Sequence, residues 1–339
     1  MKPAPFAYVR PGSLDDVLSE LTGGDAKVLA GGQSLAPVLA MRLGRPSTLV
    51  DITAVAELGE LARGDGASDG PGVLRIGAAV RQRAVERSPL SGAVPLLGRA
   101  LPFVGHRELR SRGTVCGSLA HADPAAELPA VVACLGASVE VAGPRGRRRV
   151  RGDGFASGAM TTAAGPDEVV TAVELPVARP GEGFGFAEIA RRHGDFALAG
   201  VVTVVRVDRD GSLASAVLTG FGISDRPVTE DVTELVRAEL TATDGSDGPS
   251  RDGSVAAARI GGTAPSTRAV AAGAPGDDLA RRPAVDDLAQ RLRPATTELA
   301  ARVVDTGGDA HGSTGYRRRL FSVLAARELA AAHTRAVVA

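Results

Sequence analysis

Two glycine-rich stretches concentrate the residue types that could do chemistry. The first, Lys27-Val-Leu29-Ala30-Gly31-Gly32-Gln33-Ser34-Leu35, runs from a short apolar segment through two glycines, an amide and a hydroxyl into a helical pattern. Paired glycines let the backbone turn sharply and come close to a ligand. A helix opening near Ser34 would present unpaired N–H groups and a positive dipole end to an anion, and Gln33 and Ser34 add side-chain donors. Further on, Arg112-Gly113-Thr114-Val115-Cys116-Gly117-Ser118 repeats the arrangement ahead of another helix start. One such turn is ordinary punctuation between strand and helix; the repetition points to a phosphate cradle. Neither stretch is a Gly-x-Gly-x-x-Gly or a Gly-Lys-Ser/Thr loop, which disfavours a Rossmann domain and a P-loop.

Cys116 at a helix start, with His121 a few residues on, is a candidate Cys–His pair, because an electropositive helix end favours a thiolate. The five histidines and two cysteines show no metal-ligand spacing, and two cysteines are too few for a disulfide framework. We therefore expect no metal site. No Ser/His/Asp or paired-carboxylate constellation stands out. Lys plus Arg and Asp plus Glu balance at 39 each, and aromatic residues make up 3% with no Trp, so neither a nucleic-acid partner nor a base-stacking platform is expected. The N-terminus has no basic segment followed by an apolar stretch, and no run reaches about eighteen apolar residues. The chain reads as cytoplasmic, with no membrane insertion.

At 339 residues two or three domains are expected. Ser13 is placed to cap a helix from Leu14 to Leu21, Val28 to Ala30 reads as a buried strand, Leu35 to Leu43 as a helix, and Thr48 to Ile52 as a returning strand. Val73 to Val80 leads as a strand into a helix around Val85, with a further helix from Pro89 to Leu101. Asp123 is placed as the N-cap of an apolar helix reaching Leu135, with Pro124 in its first position. Strands at 138–142 and 148–151 flank Gly143-Pro144-Arg145-Gly146 as a hairpin, with arginines 147 to 149 as a solvated tip. Val169 to Leu175 is a strand, and Val201–Val207 and Leu213–Gly220 flank a turn at Asp210-Gly211. Residues 223–259 read as a mobile insertion. Helices follow at 285–292 and 297–304, and a last one carries Tyr316, Leu320, Val323 and Leu324 on one face.

These motifs, in this order, resemble the FAD-binding medium subunit of the molybdenum hydroxylases, the group of carbon monoxide dehydrogenase and xanthine dehydrogenase. The resemblance is carried by Ala30-Gly-Gly-Gln-Ser-Leu35 with Arg45-Pro46 and Leu49-Val-Asp-Ile52, and by Leu109-Arg-Ser-Arg-Gly-Thr114 through Gly117-Ser-Leu-Ala-His-Ala-Asp-Pro-Ala-Ala-Glu127. Gly194-Asp-Phe-Ala197 and His311 through Leu320 complete it. It implies an α+β fold: a two-part PCMH-type FAD-binding domain, 1–57 and 58–177, followed by a C-terminal domain of sheet and helices, 178–339. It further implies that Lys27, Leu29, Ala30, Gly31, Gly32, Gln33, Ser34 and Leu35 grip the FAD pyrophosphate with Thr114, Cys116, Gly117 and Ser118. Leu109, His121 and Ala122 would adjoin the cofactor, Asp123 would meet the adenosine end, and Val169 and Val170 would lie beneath the ring system. Asp195 and Phe196 would neighbour the isoalloxazine. The implied function is electron transfer from a [2Fe–2S] small subunit through FAD to an external acceptor, beside a molybdopterin large subunit. The alternatives are a stand-alone, homo-oligomeric FAD-dependent enzyme meeting its own small-molecule substrate, and a flavin-free scaffold. Cys116 stands where the family usually has glycine, which would strain a position needing positive φ.

Overall fold

The computed structural model describes residues 2–65, 72–242 and 283–339. Strand β1 (Ala7–Val9), helix α1 (Leu14–Leu21), β2 (Ala26–Leu29), α2 (Leu35–Ala40) and β3 (Thr48–Asp51) open the chain, and the strands form a parallel sheet in the order β1-β3-β2. Ser13 caps α1, its hydroxyl accepting from Asp16 N at 3.2 Å, and Leu14, Val17 and Leu21 bury one helical stripe. Because β2 and β3 run parallel, both send their C-terminal ends, Leu29 and Asp51, to one edge. The first glycine loop leaves from that edge. The α2 helix stops at Ala40, short of the expected Leu43.

The next segment comprises β4 (Leu61–Gly64), β5 (Val73–Gly77), α3 (Gln82–Arg87), α4 (Pro95–Ala100), α5 (Arg107–Arg110), α6 (Val115–His121), α7 (Glu127–Cys134), β6 (Ser138–Gly143), β7 (Gly146–Arg151), the short pair β8 (Ala156–Gly158) and β9 (Thr161–Thr162), and β10 (Val169–Pro176). Five of its strands form an antiparallel sheet, β4-β5-β10-β6-β7. The single helix expected from Pro89 to Leu101 is broken into short turns around α4, because Pro95 drives Val94 out of the helical region, to φ −127° and ψ 84°. The β6–β7 hairpin forms as its turn signature predicts. Its arginines, however, are not a free tip: Arg147 meets Glu57 and Glu140, Arg148 meets Glu168, and Arg149 meets Glu174.

A third sheet, antiparallel, holds β11 (Glu182–Ile189), β12 (Ala199–Val207), β13 (Leu213–Phe221) and β14 (Val228–Asp231), followed by α8 (Thr233–Thr241), α9 (Pro283–Val303) and α10 (Thr314–Val338). Thus β14 and α8 occupy the first part of what reads in sequence as a mobile insertion; the rest of that segment lies outside the described residues. The two helices expected on either side of residue 294 are one, α9, which runs through Pro294. Burial of Leu288, Leu292, Leu299 and Val303 outweighs the roughly 3 kcal/mol cost of a mid-helix proline. The buried face of α10 is Phe321, Leu324, Ala325 and Leu329, and Tyr316 is exposed; the expected face is rotated because small alanines let the helix lie close to the sheet.

Alternation along β12 explains the layering. Val202 faces one core, shared with Phe184, Phe186 and α7, while Val201 and Val205 face another, shared with α9 and α10. Helix α7 is buried on every side, as expected of an apolar helix held between two layers. The fold is α+β: two sheet-bearing N-terminal units, then a C-terminal sheet backed by helices.

Candidate functional site

The two glycine loops are packed against each other. A Cβ placed on Gly31 would collide with Arg112 O and come within 2.6 Å of Gly113 Cα, so only glycine allows this approach. Gly32 takes φ +73°, the left-handed region, and turns the chain into α2. A Cβ on Gly117 would lie 3.7 Å from Ala30 Cβ, which sets the start of α6 beside the first loop. Gln82 pins the second loop: its N–H donates to Gly113 O at 2.9 Å and its Nε2 to Thr114 O at 3.3 Å. Thr114 caps α6 by accepting from Gly117 N at 2.9 Å.

The first loop keeps its donors open. Among the described residues no protein acceptor takes the N–H groups of Gly31, Gly32, Gln33, Ser34 or Leu35, and the Ser34 hydroxyl makes no capping bond to α2. Backbone donors left unpaired in a row form an anion-binding concavity. Those of Gly31, Gly32 and Gln33 belong to the lining of a cavity of about 470 Å³, together with Leu29, Ala30 and Ala36 and with Tyr8, Asp51, Thr53, Arg81 and Arg112.

Sequence reasoning did not assign Tyr8, Asp51, Thr53 or Arg81 to a site. Asp51 ends the strand parallel to β2, and that position was the available signal; Arg81 carried none. Arg81 donates to Arg112 O and holds the second loop from below. Its guanidinium lies below the ordinary arginine value because burial disfavours its charge, with Asp51 partly opposing this and Arg112 adding repulsion. Asp51 is buried, accepting from Tyr8 OH at 2.5 Å and from Thr53 N at 2.8 Å. Burial opposes its ionisation, but the hydrogen bonds from Tyr8 and Thr53 outweigh that and hold the carboxyl below the usual carboxylate range. Open donors and two arginines suit a diphosphate-bearing cofactor.

Other residues named from the sequence lie elsewhere. Lys27 is exposed, and its charge acts on half-buried His121, whose pKa is lowered by burial, raised by Asp123 and lowered by Lys27. Ala122 takes a left-handed conformation, φ +50°, as the C-cap of α6, and Ser118 lies inside that helix. Asp123 does not cap α7. Its Oδ1 accepts from Ala125 N at 2.8 Å in a local turn, and α7 begins at Glu127 after Ala126, so Pro124 is outside the helix. Val169 and Val170 are buried in β10, Leu109 is exposed on α5, and exposed Phe196 follows Asp195 in the β11–β12 connection. None of these lines the cavity under the first loop.

Cys116 overturns two expectations. It sits inside α6 and outside the positive-φ residues, so the missing glycine strains nothing. Its thiol is buried, donates to Ile76 O at 3.5 Å, and is pushed up to about 12 by burial, with Arg75 pulling the other way. It faces the sheet, and no Cys–His pair forms with His121.

Residues 4–178 match the family described as the FAD binding domain in molybdopterin dehydrogenase. The chain is 38% identical over 225 residues, 66% of its own length and 74% of the other, to the 6-hydroxypseudooxynicotine dehydrogenase complex subunit alpha of Paenarthrobacter nicotinovorans. It is 33% identical over 231 residues, 67% and 78% of the two lengths, to the carbon monoxide dehydrogenase medium chain of Afipia carboxidovorans. Among solved structures, a chain of the reconstituted CO dehydrogenase from Oligotropha carboxidovorans superposes with a TM-score of 0.76 at 28% identity, covering 99% of this chain and 100% of that one. A chain of quinoline 2-oxidoreductase from Pseudomonas putida 86 gives 0.74 at 31% identity, covering 99% and 100%. Among the described residues no helix is long and apolar enough to cross a membrane.

Proposed function

Because the chain belongs to the family of FAD-binding domains in molybdopterin dehydrogenases, we propose that it holds FAD against its two glycine loops as the electron-transferring subunit of a molybdenum hydroxylase complex. Electrons would arrive from the [2Fe–2S] clusters of a small partner, beside a molybdopterin large partner, and leave to an external acceptor. The observation that carries this reading is the packing of Gly31 on the Arg112–Gly113 backbone, with the open N–H groups of Gly31, Gly32 and Gln33 and two arginines at the same cavity. The naming of relatives as a complex subunit and as a medium chain supports the assembly.

FAD, when bound, supplies the exchange of one and two electrons that no side chain here can perform. The protein's part is position and charge. The N–H groups of Gly31 to Leu35 would donate to the diphosphate, Arg81 and Arg112 would offset its charge, and the packed loops would fix its place. Phe196, exposed and next to Asp195, is free to cover one face of the ring. The stand-alone enzyme loses one of its grounds with the burial of Cys116.

The test is the absorption spectrum and native mass of the protein purified gently from its source. Flavin bands overlaid by broad iron–sulfur absorption, at a mass well above one chain, are expected. Flavin bands alone at the mass of the chain or its homo-oligomer would move the assignment to a stand-alone flavoenzyme. A colourless protein that takes up no FAD on reconstitution would refute both.

A further inference from the structure

Helix α2 ends in a Schellman turn that holds a leucine away from the protein. Arg42 takes a left-handed conformation, φ +58°, with its N–H donating to Leu39 O at 3.0 Å, and Leu43 N donates to Val38 O at 3.0 Å. Glycine adopts that backbone freely, whereas a side chain there is strained. The apolar residue that follows the left-handed one ordinarily folds back on the helix. Leu43 does not: it is 74% exposed, with Met41 beside it at 50% and Phe6 at 38%. The N-terminal segment, residues 2–7, runs alongside residues 42–47, joined by Arg42 Nε to Lys2 O at 3.2 Å and by Ala7 N to Ser47 O at 2.7 Å. Three large apolar side chains therefore stand in water along one strip.

The charge of that strip has one sign. Lys2, Arg42 and Arg45 are exposed, and among the described residues no carboxylate pairs with any of them. Asp25, in the adjoining turn, is engaged by Ser47 N at 3.1 Å. On β7, by contrast, Arg147, Arg148 and Arg149 all meet glutamates of this chain. Exposed apolar side chains with a charged rim mark a docking surface. We propose that the strip of Lys2, Phe6, Met41, Arg42, Leu43 and Arg45 receives a partner subunit of the complex, which brings an apolar socket rimmed by carboxylates. The proposal rests on the reading of the chain as a complex subunit. A second copy is the wrong occupant, because a two-fold contact sets a patch against itself and would bring cation against cation. A carboxylate-rimmed partner answers the three cations and covers Leu43 at once. Because α2 springs from the first glycine loop and has only six residues, the docked partner and the cavity would share one short helix.

The test is made on the complex purified from its source with the substituted chain in place, the unfolding temperature of that chain serving as the control for folding. Leu43→Glu, and separately Lys2→Glu combined with Arg45→Glu, each weaken the hold of the chain on the rest of the complex about tenfold or more, read as native mass on dilution. Rising salt loosens the wild-type complex and partly restores the charge-reversed one. A photoreactive cross-linker attached through Leu43→Cys joins an Asp- or Glu-bearing peptide of another subunit, both native cysteines being buried. A complex whose mass and salt response ignore these substitutions overturns the proposal, as does a cross-link to a second copy of this chain. Binding of the wild type to phosphatidylserine vesicles that Leu43→Glu abolishes, with the complex intact, assigns the strip to a membrane surface instead. A wild type that purifies as a lone chain refutes the complex reading itself; an intact complex indifferent to Leu43→Glu refutes only the placement.

Discussion

Gly31 and Cys116 show how differently two small residues of one site act. Gly31 has no space for a methyl group, because the Arg112–Gly113 backbone occupies it. Gly31→Ala must push the loops apart, at about 1–3 kcal/mol for overpacking. We expect a lower unfolding temperature together with loss of FAD uptake in a flavin titration, and retained uptake would show that the loop contact is dispensable. Cys116, by contrast, is sealed against Ile76, and Cys134 is equally buried, its thiol also pushed up to about 12 by burial. Neither cysteine should react with an aromatic disulfide reagent in the native protein, and both should react once it is unfolded. Native labelling at Cys116 would restore the Cys–His pairing. The sequence displays the glycines but not what occupies the space beside them, which is why the two residues look alike as candidates before the fold is known.

At the scale of elements, the tightest joint is the start of α10. Ser313 caps that helix by accepting from Tyr316 N, and buried Arg317 fans out to Leu198 O at 2.6 Å, Gly222 O at 2.7 Å and Asp309 Oδ2 at 2.7 Å. One guanidinium thus ties the helix to the open end of the β12–β13 hairpin, where the chain enters β12 and leaves β13. Arg317→Ala leaves two carbonyls without a donor and should cost about 3 kcal/mol or more in denaturant unfolding. Arg317→Lys recovers only part of this, since an ammonium lacks the planar fork. Equal stability of Arg317→Lys and wild type would argue that charge alone matters. The motif around His311 to Leu320 was visible in the sequence; its purpose was not, because its partners lie about a hundred residues away, as the separations of 119 and 95 positions show.

Over the whole molecule, the N-terminal units and the C-terminal sheet share one core through α7, and a pair of acids lies in that seam. Glu127 opens α7 and Glu188 lies near the end of β11; both are buried, and Glu188 Oε2 has no partner among the described residues. Burial raises both pKa values, Glu127 to about 7, with Asp123 adding repulsion and Arg110 opposing it, and Glu188 to about 9, with Glu127 adding repulsion. The folded chain therefore keeps protons that the unfolded chain has given up. Stability from these groups is fully present below the unfolded value of 4.5 and is lost as pH rises through about 7 and then about 9. Glu188→Gln should flatten this fall, raising stability at pH 9 relative to wild type by on the order of a few kcal/mol. Parallel profiles of unfolding temperature against pH for the two proteins would dismiss the pair.

The sequence by itself determined the local order of the chain, including α1 with its Ser13 cap, the hairpin of β6 and β7, and the two glycine turns. Capping, alternation and turn chemistry act within a few residues and are written there. It also determined the family, through motifs spread along nearly the whole chain. Only the tertiary structure decided that α9 passes through Pro294, that Cys116 faces a sheet, that the arginines of β7 meet glutamates, and that Asp51 and Arg81 stand at one cavity with Gly31. Each of these depends on groups brought together from distant positions, and burial, charge pairing and steric fit have no value until the chain has closed around them.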